Sequence, residues 1–368
     1  MQKLYIGLMS GTSLDGLDAV LVDFAKTTPQ LLGQLSLSMP DDLRNKLLAT
    51  CNASDINYSD FAYLDVEIAR LSVSAIQELL AQTKINALDI TAVGSHGQTI
   101  YHNPLGNHPT TLQIGDPNII SELTNITTVA DFRRRDIAAQ GQGAPLVPAF
   151  HQSIFHSSNE HRAILNIGGI ANITALSRDP KEAITGFDTG PGNVLMDYWH
   201  YRHHSSRYDK DGAWAASGSI NPELLEIMLN EPYFSAQPPK STGREKFNMD
   251  WLNQRLQQTS NIDDADIQAT LCELTAISIT EAIKSWAAAT EKVIVCGGGA
   301  YNTQLISRIN NNLDIPIESS AKHGIAPDWV EAIAFAWLAK QTIEKTASNV
   351  PSVTGATHPV ILGGIFHR

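Results

Sequence analysis

Twice in this chain an apolar strand runs into a short polar or glycine-rich turn and comes straight back as a second apolar strand. The first pass is KLYIGLM, the turn SGTSLDG, and LDAVLVDF, followed by LLGQLSLS. The second is RAILNIGG, IANITALS and the strand-like EAITGF. Alternating apolar residues and β-branched content mark each pass as an antiparallel meander. A meander followed by alternating helices and strands builds a mixed sheet covered by helices. At 368 residues the chain exceeds one ordinary core, so the repeated opening predicts two α/β domains related by an ancient duplication.

Helical spacing runs through 42–51, 61–83, 116–124, 221–229, 266–290 and 328–345, with strands at 90–96, 111–115, 127–131 and 292–296. Around FRRRDIAAQGQGAPLVP the pattern breaks into glycine, proline and charge, which predicts a domain boundary. The net charge of −12 argues against a nucleic-acid or anionic-membrane binder, because a phosphate backbone needs a basic face. Cys51, Cys272 and Cys296 are odd in number, with no CxxC pair, as for reduced thiols in a cytoplasm. The opening LYIGLM runs quickly into Asp15 and Asp18, unlike a secretory signal. A soluble cytoplasmic chain is expected.

Three glycine-rich turns follow apolar strands: SGTSLDG (10–16), DTGPG (188–192) and CGGGA (296–300). Glycine lets a ligand approach the backbone, and unpaired N–H groups in such turns bind phosphate oxygens. Each turn taken alone also fits an ordinary hairpin or strand-to-helix connection. Neither a P-loop, nor a complete dinucleotide fingerprint, nor a G-x-S-x-G elbow occurs. A carboxylate, Asp188, stands at the mouth of the second turn, where it would repel a phosphate; it reads as a catalytic group or as a helix N-cap. His200 and His204 in HYRHH have i, i+4 metal-ligand spacing but no third ligand, and read as structural.

The segments GLMSGTSLDGLDAVLVDF, GSHGQTIYHNP, TLQIGDPNII, VADFRRRDIAAQGQGAPLVPAFH, LNIGGIAN, GFDTGPGNVLMD, DGAWAASG, PKSTGREKFN, CGGGAYN and EAIAFAWLA, in this order over nearly the whole chain, resemble the anhydro-N-acetylmuramic acid kinases. The resemblance implies a two-domain actin-like ATPase (ribonuclease H-like) fold with ATP in the interdomain cleft. It also implies the reaction: water opens the 1,6-anhydro ring and the freed O6 takes the γ-phosphoryl group, in cell-wall recycling. The domains are then expected at 1–132 plus about 331–368, and at 133–330, with hinges near 130–145 and 325–331. Closure over both ligands is expected to compact the protein.

By the same resemblance Asp188 is the general base for the attacking water. Gly11, Thr12, Ser13, Leu14, Asp15, Gly16, Leu17 and Asp18 form the ATP-phosphate hairpin, with Thr189, Gly190 and Gly192 facing the phosphates. Gly297, Gly298 and Gly299 let adenosine lie on the backbone, unless they only turn a strand into a helix. Mg²⁺ is expected because kinases need it to neutralise phosphate, with Asp15 and Asp18 as candidate ligands. His96, Arg134 and Glu331 are assigned to the sugar; any one of Arg133, Arg134 and Arg135 could meet its lactyl carboxylate, and His96 could merely order its loop. The family also suggests a homodimer. Three rivals remain: a sugar-responsive regulator, for which no DNA-reading helix-turn-helix is found; a chaperone-like ATPase; and a kinase for another small molecule.

Overall fold

The computed structural model describes residues 3–11, 14–26, 28–51, 53, 55–204 and 206–368. It divides into two compact units, Met1–Ile154 with Trp329–Arg368, and Phe155–Asp328.

In the first unit the opening meander forms β1 (Leu4–Met9), β2 (Gly16–Asp23) and β3 (Gln30–Ser38). It is extended by β4 (Ile90–Ser95), carries the side hairpin of β5 (Gln98–Asn103) and β6 (Thr110–Ile114), and continues at β7 (Thr128–Ala130). The sheet order is β3, β2, β1, β4, β7, with the C-terminal Gly364–Phe366 at the far edge. β2 is antiparallel to β1, whereas β1, β4 and β7 run parallel. One face packs Leu4, Ile6 and Leu8 against Ala69, Val73 and Ile76 of the helix Tyr58–Thr83. On the other lies Val330–Ile343, whose alanines and leucine favour helix and which is apolar nearly all round because it is almost fully buried. A Cβ on Gly7 of β1 would overlap the carbonyl of Ala332, and one on Gly94 of β4 that of Phe335. Glycine lets this helix rest on the strand backbones, which fixes Glu331 in its first turn.

In the second unit β8 (Arg162–Ile167), β9 (Ile170–Leu176), β10 (Thr185–Pro191), β11 (Lys292–Cys296) and β12 (Ile317–Ser319) give the order β10, β9, β8, β11, β12. β9 is antiparallel to β8, and β8, β11 and β12 run parallel. Both units therefore carry the ribonuclease H-like order 3-2-1-4-5 with an antiparallel second strand, and the predicted mixed sheets flanked by helices are present. Leu165, Ile167, Ile173 and Phe187 are buried with Leu271, Leu274 and Ile279 of the helix Asp264–Trp286. No helix among the described residues is long and apolar enough to cross a membrane.

Three details differ from the sequence reading. DTGP is the end of β10, not a turn, because a bulge at Thr189 keeps the strand paired with β9 through Gly190 and Pro191. The long helix of the second unit's core ends at Trp286 rather than 290. The chain leaves the first unit at 154/155 instead of 132/133. The cause is Asp136, fully buried, whose carboxylate accepts from Gly143 N–H (2.8 Å), Asn349 Nδ2 (2.7 Å) and Thr354 Oγ1 (2.8 Å). That carboxylate ties the glycine-rich stretch, which begins with a short helix Arg134–Ala138, to the C-terminal segment.

Candidate active site

At the ends of β1 and β4 the first unit gathers a polar cluster. Buried His96 follows β4, with its N–H bonded to the Leu8 carbonyl (3.1 Å). Its Nε2 accepts from Arg133 Nε (3.2 Å) and lies 2.9 Å from Nη2, while Nδ1 lies 3.3 Å from the Ser10 carbonyl. Only the tautomer protonated at Nδ1 satisfies both contacts. Burial, helped by the Arg133 charge, pushes the imidazole down to about 3, so His96 stays neutral. Arg133 also donates to the Gly143 carbonyl (2.8 Å). Burial lowers its guanidinium to about 10, opposed by the charges of Glu331 and Asp136. Burial raises the Glu331 carboxyl, with Arg133 pulling it down and Asp18 pushing it up. His96, Arg133 and Glu331 thus form one cluster whose charges face each other in a low-dielectric setting.

Arg134 is not part of it. The short helix turns its side chain outward, 59 % exposed, into an ion pair with Asp131 at 2.7 Å. Arg135 is likewise exposed. Of the three arginines, Arg133 is the one turned to His96 and Glu331.

In the second unit Asp188 sits partly buried on β10 just before the bulge. Its Oδ2 accepts from the Thr242 N–H (3.0 Å), and its backbone N–H donates to the Lys240 carbonyl (3.2 Å). The Tyr233 hydroxyl donates to its carbonyl at 2.8 Å. Burial pushes the carboxyl up to about 7; the Thr242 N–H opposes this, Glu245 adds to it and Lys240 opposes it. A carboxylate on a rigid strand, half in its basic form near neutrality, is suited to take a proton from water. Asp188 is no N-cap: it lies within β10, and Asn193 holds the N-cap position of the next helix, Val194–His203. The covering segment 232–247, which holds Asp188 in place, had no sequence signal beyond PKSTGREKFN.

The glycine turns sort by what their glycines do. In the first turn Leu14, at φ 55°, is buried with Met39, Leu43 and Leu47 and anchors the hairpin, and Leu17 lies in the sheet core. These two side chains face the core, so a nucleotide would meet only their backbone. A Cβ on Gly16 would overlap the Leu37 carbonyl; Gly11, Asp15 and Asp18 are at least partly exposed around the turn. Thr12 and Ser13 lie outside the described residues. Along β10, Thr189 is buried with its hydroxyl donating to the Ala171 carbonyl (3.2 Å). A Cβ on Gly190 would meet the Phe234 ring at 2.7 Å, and one on Gly192 would overlap the Gly168 carbonyl. Gly192 N–H already donates to the Gly169 carbonyl (2.9 Å). Thr189 and Gly192 are therefore engaged by the protein itself. Gly297 and Gly299 pack against Asn166 and Ile167, whereas Gly298 has open space around it and is exposed.

The sequence reading gave Gly168 and Gly169 no ligand role. By strand order their β8–β9 turn is the counterpart of the β1–β2 turn, a signal present in the repeated meander. His200 and His204 stack at 4.6 Å and pack on Trp214, and among the described residues no three His, Cys, Asp or Glu side chains are grouped to hold a metal.

The sequence model of the family described as anhydro-N-acetylmuramic acid kinase matches residues 3–368. Proteins named anhydro-N-acetylmuramic acid kinase are 50 % identical in Saccharophagus degradans (99 % of each chain) and 48 % identical in Coxiella burnetii (99 % of this chain, 98 % of the relative). A third, from Pseudomonas syringae pv. tomato, is 46 % identical over the full length of both. With identity of this order along its whole length, the chain belongs to the anhydro-N-acetylmuramic acid kinase family.

Proposed function

We propose that this kinase uses ATP and water to convert 1,6-anhydro-N-acetylmuramic acid into N-acetylmuramic acid 6-phosphate, a step of cell-wall recycling. The observation that carries the reading is Asp188, a partly buried carboxylate locked on a strand by the Thr242 N–H and the Lys240 carbonyl, where burial pushes its carboxyl up to about 7. Water attacks C1 of the anhydro-sugar and gives a proton to Asp188 as the C1–O6 bond breaks. O6 attacks the γ-phosphorus, the bond from that phosphorus to its bridging oxygen breaks, and ADP leaves; the proton on Asp188 passes to solvent. Water and ATP thus act on opposite ends of one bond system, so neither is wasted on the other.

The first unit's cluster is assigned to the sugar, with Arg133 in the role expected of Arg134. Its guanidinium suits a lactyl carboxylate, Glu331 can accept from a sugar hydroxyl, and neutral His96 holds Arg133 in orientation. The turns at 10–16 and 296–300 are assigned to the phosphates and adenosine, and the two compact units to the two domains of an actin-like ATPase. Mg²⁺ would neutralise phosphate charge; Asp15 and Asp18 suit it as oxygen ligands, with phosphates and water completing a shell that Mg²⁺ rarely draws from protein alone. Work in the cytoplasm as a homodimer is part of the same reading.

The test is mass spectrometry of product formed in heavy-oxygen water and quenched early. The expected result is one label, on the anomeric oxygen, and none in the phosphate ester. Unlabelled product would refute ring opening by solvent.

A further inference from the structure

Four cations lie on or beside the segment that covers Asp188, and three are engaged. Lys240 Nζ donates to the carbonyls of Tyr233 (2.9 Å) and Phe234 (3.1 Å). Lys246 and Arg255 both pair with Glu231 at 2.9 Å. The fourth, Arg244, is partly buried, and its guanidinium has no ion-pair or hydrogen-bond partner among the described residues. The face of Tyr198, 6.0 Å from Cζ, steadies it. A partly buried guanidinium held by an aromatic ring and left without an anion is costly unless an anion arrives.

What stands opposite is the β8–β9 turn. Nη2 of Arg244 lies 3.9 Å from where a Cβ on Gly169 would stand. The turn's carbonyls accept from Gly192, Asn193 and Val194, and the Gly169 N–H finds no acceptor among the described residues. Gly168 and Gly169 are not at positive φ. A Cβ on either would meet nothing closer than 3.5 Å. Neither conformation nor packing within the unit asks for glycine here, in contrast to Gly192, so the missing side chains leave room for something outside the chain. Thr242, which holds Asp188, stands two residues from Arg244, so one loop delivers both.

We propose that Arg244 is an anion-binding residue of the reaction, gripping the terminal phosphoryl group of the nucleotide over the Gly168–Gly169 turn. This rests on the kinase reading above. A planar fork of donors matches phosphoryl oxygens and would stabilise the charge that gathers on them during transfer. A sugar carboxylate offers the same chemistry, and the experiment separates the two.

Mg²⁺ complexes of the non-hydrolysable triphosphate AMP-PNP and of ADP are titrated calorimetrically into the wild type, Arg244→Ala and Arg244→Lys. AMP-PNP should bind Arg244→Ala about tenfold or more weakly and ADP nearly as before; equal losses, or none, overturn the proposal. In turnover, Arg244→Ala should lose about 10³-fold in kcat, with Arg244→Lys and added guanidinium ion each restoring part. The loss should be the same with 1,6-anhydro-N-acetylglucosamine, which lacks the lactyl group; a loss confined to the lactyl-bearing sugar assigns Arg244 to the carboxylate and overturns the proposal. Should Arg244→Ala melt early, Arg244→Gln takes its place. A wild type that makes no sugar phosphate fails the functional reading alone, since the nucleotide titration still decides the role of Arg244.

Discussion

In the first unit the carboxylate at the strand ends, Glu331, faces a guanidinium; in the second, Asp188 faces a backbone N–H, a lysine already bonded to two carbonyls, and a further carboxylate, Glu245. The two units share the same 3-2-1-4-5 sheet plan, with Asp188 on a strand and Glu331 in the first turn of a helix that rests on the sheet. The scaffold supplies rigid positions, and the neighbours decide the chemistry: burial raises both carboxyls, but at Glu331 a guanidinium opposes the rise and suits the group to holding, whereas Asp188, opposed only by a backbone N–H and an engaged lysine, is pushed up to about 7 and suits a base near neutrality.

The largest effect that could break this contrast is at the second carboxylate. Asp188→Asn should lower kcat by about 10³–10⁴-fold while leaving nucleotide affinity and the KM for sugar nearly unchanged; near-normal turnover would remove its role. Glu331→Gln should show the opposite split, with KM for the sugar raised by roughly 10–100-fold, the scale of one lost charged hydrogen bond, and kcat far less affected. If both variants changed kcat alone, the division between holding and proton transfer would be wrong.

Two smaller effects sharpen it. Because the folded-state pKa of Asp188 lies above its unfolded value, ionising it opposes folding, and that cost is absent below about pH 4 and complete above about 7. Asp188→Asn should therefore be more stable than the wild type by on the order of 2–4 kcal/mol at pH 8, with the gain shrinking toward pH 5; urea titrations at the two pH values measure it. The glycines divide in the same way. Gly192→Ala should destabilise by about 1–3 kcal/mol through overlap with the Gly168 carbonyl. Gly168→Ala should melt like the wild type and weaken ATP binding.

Much of this was legible in the sequence. The repeated strand–turn–strand opening specifies both sheets, and the Asp116–Pro117 helix start appears with Asp116 accepting from Asn118 N–H. The end of β10 was not legible, because glycine and proline read as a turn and only a bulge keeps them in the ladder. Which arginine faces inward was hidden for another reason: three consecutive identical residues carry no pattern, and the choice is made by His96, a partner 37 residues away. LNIGGIAN and PKSTGREKFN gave Gly168, Gly169 and Arg244 no role, because nothing in either segment shows that Arg244 stands beside the turn. Asp136, the tie that moves the boundary to 154/155, is decided by residues more than two hundred positions later.

The most direct test of the central claim is the pH dependence of kcat/KM for the anhydro-sugar, which reports the base in the free enzyme. It should rise with pH to a plateau with an apparent pKa near 7, and in Glu245→Gln the rise should move to lower pH, because one neighbouring negative charge is gone. A profile already flat from pH 5 to 8, or one that Glu245→Gln leaves in place, would contradict Asp188 as the base that its surroundings tune.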